Sequence, residues 1–226
     1  DSPEWRATAS MAFARMEHNA VLLPDGTVLI VGGRSNNGGN PVPVLVPELF
    51  DPAAEAWTKL APHQVPRRYH STAILLPDGR VLAAGGDFQP SGEVFSPPYL
   101  FRGPRPVITS ISKGIPYGGS FTLSFTSATP VGNTVAMIRL SSVTHSVNMD
   151  QRYVSLAEKV AAGKAAIPGP ADANSAPPGY FSGSSLTTTT RLAPSAATCA
   201  AICGTVRPPS CIWPPVIATA SLNSTL

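Results

Sequence analysis

Residues 67–86 read RRYHSTAILLPDGRVLAAGG, and residues 15–33 read RMEHNAVLLPDGTVLIVGG. Each copy is an apolar run, a Pro-Asp-Gly turn, a second apolar run and a Gly-Gly pair, which is the pattern of a β-hairpin. The turns at 24–26 and 77–79 are 53 residues apart, as are the Gly-Gly pairs at 32–33 and 85–86. His18 and His70 are only 52 apart, so the second copy carries one extra residue, which this spacing puts between histidine and turn. An extra residue inside a strand makes a bulge, and a bulge re-aims side chains. A bulge is therefore the expected device that lets the neighbours Tyr69 and His70 act together, since on a regular strand they would point to opposite faces.

The repeat extends outward. PELFDP (47–52) returns as GEVFSP (92–97), and the first is trailed by AAEAWTKL with Trp57 on a last short strand. Strand–turn–strand, Gly-Gly, loop, strand–turn–strand at about 50 residues per unit is the period of kelch propeller blades. Two such blades are predicted within residues 1–100. Asp25 and Asp78 are read as turn residues, set by the glycines that follow them.

After PPYLFRGPRP (97–106), where four prolines mark a boundary, the texture changes. VITSI, SFTLSFT, TVAMIRL, SVTHSVNMDQRYVSL and PPGYF are short β-rich runs separated by turns, the pattern of an immunoglobulin-like antiparallel sandwich over residues 101–181. Over Val143–Met149 the alternation is strict. It predicts a strand with Val143, His145, Val147 and Met149 on one face and Thr144, Ser146 and Asn148 on the other.

Composition agrees with an all-β chain. Of 226 residues only 13% are charged, against a usual level of about 25%, while 19 are glycine and 25 proline. A hydrophobic share of 43% excludes a disordered chain. The net charge of +3 is small and its basic residues are scattered, so neither a nucleic-acid stripe nor a polybasic membrane patch is present. No apolar run reaches the roughly 18 residues of a membrane span. The opening DSPEWRATAS lacks the basic start and apolar middle of a leader peptide. Cys199, Cys203 and Cys211 match no zinc spacing.

Four side chains invite chemistry, and each has a plain structural alternative. His18, beside Glu17, reads as a turn histidine. Tyr69 taken alone is as well explained as a half-buried strand aromatic, His70 as a polar residue satisfied near Ser71, and His145 as a hydrogen-bonded core histidine. Asp150 and Arg152 read as a salt bridge or turn pair. Together, however, Tyr69, His70 and His145 form a set of two imidazoles and a phenol, suited to tetragonal Cu(II). They could meet only if the second domain folded onto the propeller.

RRYHSTAILLPDGRVLAAGG, GEVFSPPYLFRGPRPVI and SVTHSVNMDQR…PPGYF resemble the C-terminal half of the galactose oxidase and glyoxal oxidase family of copper radical oxidases, over about residues 8 to 181. The resemblance implies a seven-bladed kelch propeller followed by an Early-set immunoglobulin-like domain, from which a hairpin carries one copper ligand up the propeller axis. By motif position Tyr69 would be the axial copper ligand and the base for the substrate hydroxyl, with His70 and His145 as equatorial ligands. A free phenol, with a pKa of about 10, keeps its proton at neutral pH, so that role requires a phenolate held by the metal. The implied reaction is a two-electron oxidation of a small alcohol, aldehyde or sugar by O2, giving H2O2, with a secreted, monomeric protein when complete. The family's radical tyrosine is cross-linked to a cysteine on earlier blades, and here no cysteine precedes Cys199. The chain alone is thus expected to bind Cu(2+) weakly and not to turn over.

From Ser182 the pattern is lost. SGSSLTTTT stands where the family continues with another strand, so residues 182–226 are expected to be a divergent tail from a frame error or misplaced splice, leaving the sandwich without its final strand. A propeller and sandwich that binds glycans or a protein partner without catalysis is the alternative function, since fold does not settle activity.

Overall fold

The two Pro-Asp-Gly turns fold as the repeat predicts. In the computed structural model, which describes residues 4–128, 132–139, 141–177 and a strand at Leu186–Thr190, β1 (Asn19–Leu22) pairs antiparallel with β2 (Val28–Val31). The Leu23 amide donates to Thr27 O, and Asp25 Oδ1 accepts from the Thr27 hydroxyl at 2.6 Å. A small hairpin follows, β3 (Arg34–Asn37) with β4 (Asn40–Pro43), before β5 (Glu48–Asp51) and β6 (Ala56–Lys59) complete a four-stranded blade in the order β1-β2-β5-β6. The second copy builds β7 (Ser71–Leu75), β8 (Val81–Gly85) and β9 (Gly92–Phe95), a three-stranded sheet in chain order.

The echo PELFDP/GEVFSP acquires a physical meaning here. Glu48 and Glu93 are buried, and each receives the arginine that opens its own repeat. Arg15 Nη2 donates to Glu48 at 2.6 Å and Arg67 Nη2 to Glu93 at 3.1 Å. Backbone carbonyls take further guanidinium protons: Gly32 and Val46 for Arg15, Gly85 and Ser91 for Arg67. A buried ion pair holds only when its other donors and acceptors are also matched, and these are. The Gly-Gly pair is equally specific. At Gly32, φ is +72° and an added Cβ would lie 2.3 Å from the Arg67 carbonyl, so the two blades approach closely only through glycine.

The C-terminal half is a sandwich of two three-stranded sheets. β10 (Val107–Ile111), β11 (Ser120–Thr126) and a later strand Gly163–Pro168 form one. The other places β12 (Asn133–Arg139) between the strands Arg152–Val160 and Leu186–Thr190. Phe121, Leu123, Phe125, Val135, Met137 and Ile167 are its core. The central strand β12 is buried along nearly its whole length because both of its faces are covered. Neighbouring side chains on a strand point opposite ways, so Met137 packs into the sandwich while Ile138 joins Val21, Leu29, Ala73, Val81 and Phe95 in the propeller core.

One sequence expectation is corrected by this sheet. The sandwich does not end before Ser182: Leu186–Thr190 pairs with β12 from Met137↔Leu186 to Asn133↔Thr190. Its four threonines are β-branched and suit a strand, which a search for hydrophobic alternation overlooks. The remainder of the stretch from 182 to 226, with its three cysteines, lies outside the described residues.

Candidate functional site

Between β12 and its neighbour in the same sheet, Arg152–Val160, the chain makes a tight excursion. β13 (Val143–Thr144) and β14 (Val147–Asn148) form a hairpin whose two-residue turn is His145-Ser146, at φ +51° and +64°. Positive φ at both central positions defines a type I′ turn, normally built from Asn and Gly. This corrects the single strand expected from the alternation of Val143–Met149. His145 shares no strand face with Val147 and Met149; it is the hairpin's tip.

The hairpin is seated by its base. Asn148 Oδ1 accepts the Gln151 amide at 3.2 Å and its Nδ2 donates to Gln151 Oε1 at 2.7 Å. Gln151 in turn donates to the carbonyl of Leu22, at the end of β1, at 3.0 Å. β13 lies against β7 and β14 against β1, so the hairpin enters between the first strands of the two blades. Asp150 lies 3.4 Å from Arg139, and Arg152 donates to the carbonyls of Asn174 and Ser175. These are structural ties, made to Arg139 and to the 174–175 backbone.

Tyr69 and His70 sit in the turn that enters β7. The Ser71 amide donates to Arg68 O, the Asp87 amide to Tyr69 O at 3.1 Å, and His70 adopts φ +61°. The β7–β8 register runs without a shift from Ser71↔Gly85 to Leu75↔Val81, so there is no bulge. The extra residue lies earlier. Met16 and Tyr69 accept the equivalent backbone bonds, from Arg34 and Asp87, and Glu17 and His70 share the left-handed conformation, all at a spacing of 53. Arg15 and Arg67 keep a spacing of 52. The insertion is therefore Arg68, and His70 takes the backbone place of Glu17, not of His18.

The three residues singled out from the sequence meet. The ring centroids of Tyr69 and His70 are 4.0 Å apart, those of Tyr69 and His145 5.7 Å, and those of His70 and His145 5.1 Å with the imidazoles near perpendicular. His18 stays outside the cluster. Its ring is half-buried with Nδ1 unpartnered, and burial, with a smaller contribution from Arg15, holds its basicity below the ordinary histidine range.

Each clustered imidazole is bonded at Nδ1, His70 to Asp87 Oδ1 at 2.9 Å and His145 to the Thr144 hydroxyl at 2.7 Å, which leaves Nε2 of both as the remaining ring nitrogen. Among the described residues no group of three or more His, Cys, Asp or Glu is arranged to hold a metal. The donor set here is instead two nitrogens and one phenol oxygen, and it fits a borderline cation such as Cu(II). Beside it lies a cavity of about 240 Å³ lined by Glu17, Arg34, Arg68, Tyr69 and Asp87. Glu17 and Arg34 close one wall with a two-pronged ion pair at 2.7 and 2.8 Å, which holds the Glu17 carboxyl below the usual range.

Sequence reasoning named the three rings but missed Asp87, Asn148 and Gln151. Asp87 directly follows the Gly-Gly pair, where a side chain is presented at the end of the hairpin. Asn148 and Gln151 stand in the same short motif as His145, and their polarity beside an apolar run was the available signal.

The chain resembles known proteins along most of its length. Residues 1–95 match the family model described as the glyoxal oxidase N-terminus, and residues 105–199 that of the galactose oxidase-like Early set domain. A galactose oxidase of Gibberella zeae is 34% identical over 193 residues, 77% of this chain and 28% of the relative. An aldehyde oxidase of Arabidopsis thaliana is 33% identical over 213 residues, 79% of this chain and 34% of the relative. A solved fungal alcohol oxidase in complex with copper superposes with a TM-score of 0.68 at 33% identity, over 81% of this chain and 44% of the other. The chain thus spans about a third of the curated relatives it matches. With both family models matched in order and an all-β blade-and-sandwich fold beneath them, the chain belongs to the galactose oxidase and glyoxal oxidase family.

Proposed function

We propose that this chain is part of an oxidase that converts a small alcohol or aldehyde with O2, giving H2O2, and that Tyr69, His70 and His145 are its contribution to a copper site. The observation that carries this reading is the convergence of His145 with rings 75 and 76 residues earlier in sequence, His70 at 5.1 Å and Tyr69 at 5.7 Å, both imidazoles being set on left-handed backbone. Non-glycine residues held at positive φ cost on the order of 1–3 kcal/mol each and concentrate where geometry serves function. His70, His145 and Ser146 are three in one place.

Bound copper would supply a one-electron acceptor and keep the phenol oxygen of Tyr69 deprotonated. His70 and His145 would hold it through Nε2. Tyr69 would receive the proton of the substrate hydroxyl at its phenol oxygen, the cavity beside it bringing that hydroxyl within reach. Two electrons leave the substrate in the reaction, so a second acceptor is needed. The family places it on a cross-linked tyrosine in earlier blades. A secreted protein and a monomeric complete enzyme follow the same family reading. Among the described residues no helix is long and apolar enough to cross a membrane.

Copper titration of the purified chain, followed by electron paramagnetic resonance, tests the ligand set. Nitrogen hyperfine structure from two imidazoles is expected, one of them lost in His145→Ala. Tyr69→Phe is expected to weaken binding while keeping both nitrogens. A spectrum unchanged in His145→Ala would remove the hairpin from the site.

A further inference from the structure

We propose that Asp87 is a positioning residue for His70, fixing the proton on Nδ1 so that the Nε2 lone pair faces the site; as a statement about copper it rests on the reading above. A carboxylate only accepts, so the 2.9 Å bond from His70 Nδ1 to Asp87 Oδ1 assigns the proton to Nδ1. The same turn holds both partners, since the Asp87 amide donates to the carbonyl of Tyr69. The carboxylate therefore moves with the Tyr-His pair. A carboxylate behind an imidazole also raises the donor strength of the opposite nitrogen and restrains the ring.

The first blade supplies the contrast. At the same two backbone places it has Glu17 and Arg34, with the guanidinium donating to the carboxylate. A guanidinium at 87 would donate to the imidazole and leave the ring's own proton on Nε2, closing the lone pair a metal needs. The residue type at 87 thus decides which nitrogen of His70 is free. His145 has no such device: its partner is the Thr144 hydroxyl, which both donates and accepts. One imidazole is preset, and the other takes the tautomer that binding requires.

Long-range proton–nitrogen correlation spectra of the metal-free, nitrogen-labelled chain at pH 8 report the tautomer directly. The Nδ1–H form is expected for His70 in the wild type and in Asp87→Asn, whose amide oxygen still accepts, a mixture in Asp87→Ala, and the Nε2–H form in Asp87→Arg. In chelator competition, copper affinity is expected to fall about 10–100-fold in Asp87→Ala, the range usual for partners behind a ligating histidine. Asp87→Arg should lose at least as much, and Asp87→Asn less than about tenfold. A His70 tautomer that is the same in wild type, Asp87→Ala and Asp87→Arg overturns the assignment, as does copper affinity in Asp87→Ala within twofold of the wild type. A wild-type chain that binds no copper yet shows the Asp87-dependent tautomer sinks the copper reading and leaves the assignment of Asp87 standing.

Discussion

The two blades share a frame and differ at its tip. In both, a buried arginine–glutamate pair ties the opening of the repeat to the third strand of its sheet, a Pro-Asp-Gly turn joins the first two strands, and a left-handed residue leads into the hairpin. At that left-handed residue and its partner after the Gly-Gly pair, the first blade has Glu17 with Arg34, an ion pair that satisfies itself. The second has His70 with Asp87, which leaves a ring nitrogen free. Met16 in the first blade is Tyr69 in the second. The contrast teaches that the tip can change while the scaffold is kept: three exchanged side chains and one inserted arginine separate a self-satisfied ion pair from the proposed ligand set.

The largest expected effect breaks what the blades have in common. Glu93→Ala strips Arg67 of its carboxylate inside the protein, and losing one partner of a buried pair costs about 3–5 kcal/mol. Glu48→Ala should cost the same for Arg15, measured by urea unfolding; a loss below about 1 kcal/mol in either would mean that blade is not held by its pair. Next comes the exchange that erases the difference. His70→Glu combined with Asp87→Arg installs the first blade's pair in the second. Copper affinity should drop about 100-fold or more, while stability moves by no more than about 1 kcal/mol, as for an exposed pair. A double variant that keeps its copper affinity would show the tip is not the site.

Two smaller predictions sharpen the comparison through pH. Burial depresses the basicity of His18, so below the ordinary histidine value of about 6.5 the unfolded chain binds the proton more readily than the folded one. That stability is present above this value and is lost as pH falls through the lower folded value. His18→Gln should flatten this part of the stability profile by on the order of 1 kcal/mol. His63, also lowered chiefly by burial, sustains the rest of the slope. Glu17, held low chiefly by its bond to Arg34, gives the smallest effect. Its contribution, about 0.5 kcal/mol for a partly exposed pair, is present above the unfolded value of about 4.3 and lost below it. Glu17→Gln should remove that loss, and an unchanged acid limb would show the pair contributes nothing.

Much of this was legible in the letters, and the gaps have physical causes. The repeat showed the blades because turns and close approaches demand particular residues: Asp-Gly at 25–26 and 78–79, glycine at 32 beside the Arg67 carbonyl. Tyr69, His70 and His145 were nameable as a proposed ligand set through the family motifs that carry them, since each taken alone read as a structural residue. Alternation misread the hairpin, since a two-residue turn built from His145 and Ser146 preserves the period-two pattern while reversing the chain. Matching His18 to His70 put the insertion in the wrong place, because identical letters need not occupy identical backbone. Asp87 was silent for another reason: its role lies in a bond between side chains 17 residues apart, and spacing alone does not reveal such a bond.

The strand that carries Met137 and Ile138 is a party wall, with one tenant on each side. Severing the chain near residue 105 would leave Ile138 and its propeller companions facing water, so the two halves do not part without cost. Because the same wall leads straight into the hairpin, the height at which His145 is delivered is set by how the apolar cores meet and not by the reach of a loose loop.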